Sequence, residues 1–135
     1  MKKIRVMLAD DHTQFREALR MWLELATDME VVAEAYDSHS VLEGAGASQP
    51  DVVCMDVNLQ GLNGIETTRQ LLALYPDIKV VGLSAHVDPG RVAEMLSAGA
   101  RGYVAKGSPG DEVLAAIRMV SQDRHYLSPE LELKH

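Results

Sequence analysis

Five polar side chains follow four short apolar segments of this chain, and together they could bind a metal ion and a phosphate. They are Asp10, Asp11, Asp56, Ser84 and Lys106. Three carboxylates held close together repel one another, so they either raise each other's pKa or bind a cation. A hard divalent ion such as Mg²⁺ meets this need, because it takes one or two carboxylates, keeps several waters and contacts phosphate groups.

The same set of charges suits phosphoryl transfer. The three carboxylates, one Mg²⁺ and Lys106 sum to a net charge of zero, which leaves the site able to accept an anion. A carboxylate can attack phosphorus and form an aspartyl phosphate, a reaction that needs positioning and charge neutralisation. The hydroxyl of Ser84 can donate a hydrogen bond to a phosphoryl oxygen.

Each of these residues alone also fits a simpler role. Asp10 and Asp11 could favour the N-terminus of a helix through its dipole, and Asp56 could stabilise a turn. Ser84 and Lys106 could be an ordinary strand-end hydroxyl and a solvated lysine. The combination is more informative, since four of the five expected strands end in a residue of the required type.

Alternating strands and helices would bring the five residues together. Apolar, β-rich runs cover residues 4–9, 30–35, 52–55, 79–83 and 102–105, and segments with helical spacing lie between them. We therefore expect a single α/β domain with a doubly wound, five-stranded parallel sheet in the flavodoxin-like order 2-1-3-4-5. In that order strands 1, 3, 4 and 5 are neighbours, so their polar ends meet in one crevice.

Local signals predict where three of the helices begin. The stretch NGIE predicts a capping box that starts at Asn63. Asp88 stands before Pro89 and Ser108 stands before Pro109. Both pairs are typical of an N-cap followed by proline at the first helical position.

Other parts of the chain carry weaker signals. The helical pattern over residues 38–49 is interrupted by Gly44 and Gly46. No partner element is evident for the last residues, so we expect a domain over residues 1–123 and a linker or the start of a C-terminal extension over residues 124–135.

The composition limits the function classes. The 135 residues suit one domain, and 47% of them are hydrophobic, enough for an ordinary core. No stretch is long and apolar enough to span a membrane, and the single Cys54 excludes an internal disulfide and a cysteine metal cluster, so we expect a cytoplasmic protein. Basic residues cluster only at Lys2, Lys3 and Arg5 and the net charge is −7, which argues against direct nucleic-acid contact.

The stretches VMLADDH, PDVVCMDVNLQGLNGIE, GLSAH and SAGARGYVAK, taken together, resemble the receiver domain of bacterial two-component response regulators. The stretches AGARGYVAKGS and YLSPEL are similar to the subgroup that carries a C-terminal helix-turn-helix DNA-binding domain. The resemblance implies the receiver part of a longer transcriptional regulator, or a natural single-domain protein.

The resemblance also implies a role for each site residue. Asp56 would accept the phosphoryl group, and Asp11 and Asp56 would bind Mg²⁺ through their side chains. Asn58 would bind the ion through its backbone carbonyl, and Asp10 would act mostly through a metal-bound water. Lys106 would contact the phosphoryl group.

Two further residues would form the switch that the family uses. Ser84 would move toward the phosphoryl group, after which Tyr103, the aromatic switch position, would turn inward. An ordinary, partly buried tyrosine is an equally good interpretation of Tyr103. Asn58 and His86 could border the water that hydrolyses the phosphate, although a solvent-exposed histidine without a role also fits His86.

Two positions depart from the family pattern. Gln60 stands where proline usually precedes the glycine, which predicts a more mobile loop. Gly107 follows Lys106 where many relatives have proline in a cis bond. A cis bond before a residue other than proline costs about 3–4 kcal/mol, so the family geometry cannot be assumed there.

The leading hypothesis is a signalling switch that takes its phosphoryl group from a sensor histidine kinase, regulates transcription and dimerises on phosphorylation. It would be no dedicated enzyme but would catalyse its own phosphorylation and dephosphorylation slowly. A Mg²⁺-dependent phosphohydrolase is the alternative, although Asn58 cannot act as the base expected two residues after the nucleophile. A phosphate-independent interaction module is the third. The stretch GAGAS at 44–48 lies in a weak helix, so it does not fit a dinucleotide fingerprint.

Overall fold

The computed structural model describes residues 2–60, 63–85 and 88–128 of the chain. Strands and helices alternate along it. The strands are β1 (Ile4–Ala9), β2 (Met29–Ala35), β3 (Val52–Asp56), β4 (Lys79–Ser84), β5 (Gly102–Ala105) and β6 (Tyr126–Leu127). The helices are α1 (Thr13–Leu25), α2 (Ser38–Ser48), α3 (Gly64–Leu74), α4 (Pro89–Ser97) and α5 (Gly110–Ser121). None of the helices in these ranges is long and apolar enough to cross a membrane.

All strands of the sheet run parallel, in the order β2-β1-β3-β4-β5-β6. The predicted order 2-1-3-4-5 is confirmed, but the expected count of five strands was wrong. Tyr126 and Leu127 pair with Gly102 and Tyr103 at the edge of the sheet. A two-residue strand carries no alternation that a sequence pattern could reveal, so it was missed.

The core has two halves, one on each face of the sheet. Along β1, Met7 and Ala9 point toward α2, α3 and α4, while Val6 and Leu8 point toward α1 and α5. Successive side chains of a strand face opposite sides. Burial on both faces explains why the central strands are apolar almost throughout.

The helix starts agree with the sequence in two of three cases. The Asn63 side chain accepts a hydrogen bond from the Glu66 backbone N–H, and the Asp88 side chain accepts one from Gly90. The prediction for α5 was wrong by one residue, since its N-cap is Pro109 and not Ser108. Pro109 is extended, with ψ 149°, and its carbonyl accepts from the Glu112 N–H.

Helix α2 runs through the two glycines that weakened its prediction. A Cβ atom at Gly44 would lie 2.9 Å from Met7 Cε, and one at Gly46 would lie 2.7 Å from the Tyr75 hydroxyl. Both glycines therefore serve close packing. The helix is also held at its start by a full capping box between Asp37 and Ser40.

Candidate functional site

The polar residues predicted from the sequence meet at the carboxyl ends of neighbouring strands. Asp10 follows β1, Asp56 ends β3 and Ser84 ends β4, and each of these side chains is buried. Lys106 follows β5, and its backbone N–H donates to the Ser84 carbonyl at 2.8 Å. The parallel order of β1, β3, β4 and β5 therefore forms the expected crevice.

The Lys106 ammonium lies among the carboxylates. Its Nζ is 2.7 Å from Asp10 Oδ2 and 3.3 Å from Asp56 Oδ2. It also lies 4.7 Å from the centre of the Phe15 ring, a cation–π contact. Three carboxylates, with Asp11 included, share this one ammonium, so the described cluster retains a negative charge that favours a cation.

Asp56 is held in an unfavourable environment for a charge. Burial raises the pKa of its carboxyl, and the nearby Asp10 raises it further. The Asn58 backbone N–H donates to Asp56 Oδ1 at 3.0 Å and opposes the rise, as does Lys106. Such a conflict between burial and charge is common at sites that do chemistry.

The carboxylates fit a divalent cation. Asp11 Oδ1 and Asp56 Oδ2 are buried atoms that accept no hydrogen bond of good geometry from the described residues. Ligand atoms of Asp10, Asp11, His12 and Asp56 all lie within 4.8 Å of one another. Buried carboxylate oxygens at this spacing suit a small hard ion.

His12 belongs to this cluster, although the sequence analysis did not single it out. Its Nδ1 lies 3.2 Å from Asp10 Oδ1, 3.7 Å from Asp11 Oδ1 and 3.9 Å from Asp56 Oδ2. The same nitrogen is 3.2 Å from Lys106 Nζ. The available signal was its position directly after the acidic pair, at the N-cap of α1.

Gln60 and Gly64, which are described residues between β3 and the first turn of α3, are held by their surroundings. A Cβ atom at Gly64 would lie 2.1 Å from the Asp56 carbonyl oxygen, so only glycine fits where α3 begins beside the end of β3. The Gln60 carbonyl accepts from the Ser38 N–H at 3.1 Å. The backbone at Gln60 is thus tied to the start of α2 without the proline that many relatives have.

Asn58 makes two hydrogen bonds, one through its backbone and one through its side chain. Its backbone N–H binds Asp56, as described above, while its side-chain Oδ1 accepts from Arg91 Nη1 of α4 at 2.5 Å. Arg91 was not among the predicted site residues. It joins the loop that follows Asp56 to the first turn of α4.

Tyr103 lies under the site, turned inward. The side chain is 1% exposed, and burial raises the pKa of its phenol, an effect that the nearby Ser84 side chain opposes. A Cβ atom at Gly82 would lie 3.1 Å from Tyr103 Cδ2 and 3.1 Å from Met95 Cγ. Gly82 therefore leaves the space that the ring occupies, and the inward orientation is accessible to the unmodified chain.

Two remaining positions complete the comparison with the sequence. The Lys106–Gly107 bond is trans, since the described residues contain no cis peptide. His86 lies outside the described residues.

Comparisons with known proteins show the family to which this fold and sequence belong. The family model of the response regulator receiver domain matches residues 6–118. The chain belongs to this family. A crystal structure of a two-component response regulator of the LuxR family, from Aurantimonas sp. SI85-9A1, superposes on the receiver domain with a TM-score of 0.93. It is 32% identical, and the match covers 98% of this chain and 94% of that one.

Curated relatives of the receiver domain are longer proteins. The transcriptional regulatory protein DegU of Brevibacillus brevis is 38% identical over 129 residues, which cover 96% of this chain and 55% of that protein. The response regulator GacA of Pseudomonas viridiflava is 38% identical over 128 residues, which cover 95% of this chain and 60% of that protein. The receiver domain thus spans somewhat more than half the length of these relatives.

Proposed function

We propose that this receiver domain is a phosphorylation switch in which Asp56 accepts the phosphoryl group. One observation carries the proposal. The buried Asp56 carboxylate faces the Lys106 ammonium at 3.3 Å, within a cluster that includes Asp10 and Asp11. This arrangement combines a nucleophile with the charges that phosphoryl transfer requires.

Each residue of the site would have its own role in the phosphoryl transfer. An Asp56 oxygen forms a bond to phosphorus while the bond from phosphorus to the donor nitrogen breaks, and the donor histidine keeps that electron pair. The Asn58 backbone N–H holds Asp56 Oδ1, which orients the carboxylate. Lys106 neutralises negative charge on the phosphoryl oxygens.

The metal site proposed for this reaction consists of Asp10, Asp11 and Asp56, with the backbone carbonyl of Asn58. Mg²⁺ held there would supply positive charge to the phosphoryl oxygens. The buried Asp11 Oδ1, which accepts no hydrogen bond from the described residues, and the close spacing of the carboxylates support this assignment.

Ser84 and Tyr103 are the proposed switch. Ser84 moves toward the phosphoryl oxygens and donates a hydrogen bond, and Tyr103 responds to the space behind it. Because the inward ring is accessible without phosphate, phosphorylation would shift an existing equilibrium between two ring orientations. The surface formed by α4, β5 and α5 would then change its affinity for partners.

The receiver domain is a signalling protein and not a dedicated enzyme. We propose that it catalyses only its own phosphorylation and slow dephosphorylation. Asn58, two residues after Asp56, cannot act as a base, and its side chain is engaged by Arg91. Both features disfavour rapid turnover of a phosphate ester.

The proposed partners follow from the family. A sensor histidine kinase would supply the phosphoryl group, and a homodimer would form on phosphorylation. DNA would be bound through a separate domain. The relative DegU is named as a transcriptional regulatory protein, which fits this proposal. The sequence predicts a receiver domain over residues 1–123 and a linker or the start of a C-terminal extension over residues 124–135. Because β6 pairs with β5, we propose that residues 124–128 belong to the sheet and that such an extension follows them.

The test is phosphorylation by a small-molecule donor such as acetyl phosphate with Mg²⁺, read by intact-protein mass spectrometry. We expect one acid-labile phosphoryl group on the wild-type chain and on Asp77→Asn, an exposed carboxylate used as the control. Asp56→Asn should carry none, and its melting temperature should no longer rise with Mg²⁺ or beryllium fluoride. Equal labelling of Asp56→Asn and wild type would reject the proposal.

A further inference from the structure

We propose that His12 is a nitrogen ligand of the divalent cation in this site. The inference rests on the proposed metal site at Asp10, Asp11 and Asp56 and adds a ligand that changes which ions the site prefers. A site with an imidazole nitrogen favours first-row transition ions such as Co²⁺ over Mg²⁺, which prefers oxygen.

The position of the His12 ring carries the proposal. Two thirds of the side chain is exposed (67%), yet Nδ1 points into the crevice toward three carboxylates. In an octahedral site with ligands at about 2.1 Å, neighbouring ligand atoms lie about 3 Å apart and opposite ones about 4.2 Å apart. The distances from Nδ1 to the three carboxylate oxygens, 3.2, 3.7 and 3.9 Å, fall within this range.

Nδ1 of His12 lies between a donor and an acceptor. Lys106 Nζ, which has donors and no acceptor, is 3.2 Å away, and Asp10 Oδ1, which already accepts the His12 backbone N–H at 2.8 Å, is also 3.2 Å away. Neutral imidazole is the form that binds metals. Its Nδ1 lone pair and Asp10 Oδ1 would then face one cation together.

The backbone holds His12 in place for this role. Its N–H binds Asp10 Oδ1, and its carbonyl accepts from the Arg16 N–H at 3.0 Å in the first turn of α1. A ligand fixed at both sides of its Cα needs only a rotation of the side chain to reach the ion. When the ion binds, Lys106 leaves Nδ1 but keeps Asp10 Oδ2 and Asp56 Oδ2 as partners.

The test compares metal affinities on the full chain. Calorimetric titrations with Mg²⁺ and with Co²⁺ would be made on wild type, His12→Ala and His39→Ala. His39 is the matched control, since it is an exposed histidine whose partner is Glu43 on α2. We expect the ratio of Co²⁺ to Mg²⁺ affinity to fall about tenfold in His12→Ala and to stay unchanged in His39→Ala.

A second measurement observes the bond itself. Pulsed electron paramagnetic resonance of bound Mn²⁺ reports a coordinated imidazole through its ¹⁴N coupling. The coupling should be present in wild type and His39→Ala and absent in His12→Ala, with circular dichroism showing that each variant folds.

The outcomes separate this inference from the proposed function. Unchanged affinity ratios and no ¹⁴N coupling in wild type, with normal Mg²⁺ binding and labelling of Asp56, would overturn the role of His12 alone. If no cation binds wild type, or if Asp56→Asn binds cations equally well, the proposed metal site fails and the inference fails with it.

Discussion

At the scale of single residues, the surroundings of Asp56 oppose its negative charge. An acid whose pKa is higher in the folded chain than in the unfolded chain stabilises the fold only in its protonated form. Burial raises the pKa of Asp56, so its charge destabilises the fold at neutral pH. The deprotonated form is also the one that the proposed phosphoryl transfer needs, so the proposed function would account for this stability cost.

The first prediction follows from this destabilising effect of the Asp56 charge. Asp56→Asn should raise the free energy of unfolding at pH 7 by roughly 0.5–2 kcal/mol, measured by urea denaturation without divalent ions. This gain in stability should shrink as the pH falls through the raised pKa of Asp56, because Asp56 of the wild-type chain then becomes protonated. Asp77→Asn, at an exposed position, should show no gain, and a loss of stability in Asp56→Asn would contradict the argument.

Gly82 gives a second prediction at this scale. An added Cβ would lie 3.1 Å from both Tyr103 Cδ2 and Met95 Cγ, so Gly82→Ala should displace the tyrosine ring outward or strain it, at a cost of about 1–3 kcal/mol. An outward ring loses the burial that raises its pKa, so Tyr103 should titrate at lower pH. Nuclear magnetic resonance of labelled tyrosine would measure this.

The control for Gly82 is Gly107→Ala, since nothing lies within 4 Å of a Cβ atom at that position. It should leave the titration of Tyr103 unchanged. If Gly82→Ala also leaves it unchanged while the chain remains folded, Gly82 does not determine the orientation of the ring.

The sequence could predict some of these residues and not others. The meeting of Asp56 and Lys106 was predictable because polar residues follow four of the five expected strands, and a parallel sheet brings those strand ends to one edge. His12 was not, because a histidine at a helix start has many uses and only the fold brings its ring to the acids. Gly64 and Gly82 were not, because a close approach between distant segments leaves no local pattern.

At the scale of secondary structure elements, a side chain of α4 contacts a residue that follows β3. Arg91, in the first turns of α4, donates to Asn58 two residues after Asp56. The starts of helices were predictable where the N-cap residue has a polar side chain, as at Asn63 and Asp88. They were not where backbone geometry decides, as at Pro109, whose extended conformation delays α5 by one residue.

The third prediction concerns this connection. Arg91→Ala removes a contact that ties α4 to the loop, and a hydrogen bond of this kind is worth roughly 0.5–1.5 kcal/mol. Amide hydrogen exchange in α4 should therefore become about 2–12 times faster. In Arg69→Ala, which removes an exposed pair with Glu66 inside α3, exchange in α4 should stay as in wild type. Equal protection of α4 in wild type and Arg91→Ala would show that the contact does not restrain the helix.

At the scale of the whole molecule, the topology was predictable because alternating patterns leave few arrangements for a parallel sheet. Individual side-chain pairs outside the crevice, between elements distant in sequence, were not predictable. Arg118 of α5 binds Asp28, in the turn before β2, through two hydrogen bonds of 2.8 and 3.0 Å. No local pattern links these residues, which are 90 positions apart.

This pair gives the fourth prediction. The hydrogen bond from Arg118 lowers the pKa of Asp28, so the pair stabilises the fold above the unfolded pKa of the acid and loses this effect as the pH falls through the lowered value. Arg118→Gln should cost at most about 1 kcal/mol at pH 7, because both side chains are partly exposed. A double-mutant cycle with Asp28→Asn, measured by denaturation at pH 7 and in acid, should show coupling only at pH 7. Coupling that persists in acid would exclude the charge as its origin.

The fifth prediction concerns the end of the sheet, where the sequence predicted a linker or the start of a C-terminal extension. The Tyr126 N–H donates to the Arg101 carbonyl and the Ser128 N–H to the Tyr103 carbonyl, while the Ser128 hydroxyl accepts from the Ala105 N–H. A chain that ends at residue 123 loses these three bonds and leaves β5 as an exposed edge. It should be less stable than a chain that ends at residue 128 by roughly 2–4 kcal/mol, and it should associate through the free edge.

Denaturation and sedimentation would compare the two chains. Equal stability and a monomer in both cases would make residues 124–128 a linker that merely lies against the sheet. The expected difference would make them part of the domain. Because β6 pairs directly with Tyr103, whatever follows residue 128 would then be attached beside the proposed switch, so that a shift of β5 could reach it through two strands of one sheet.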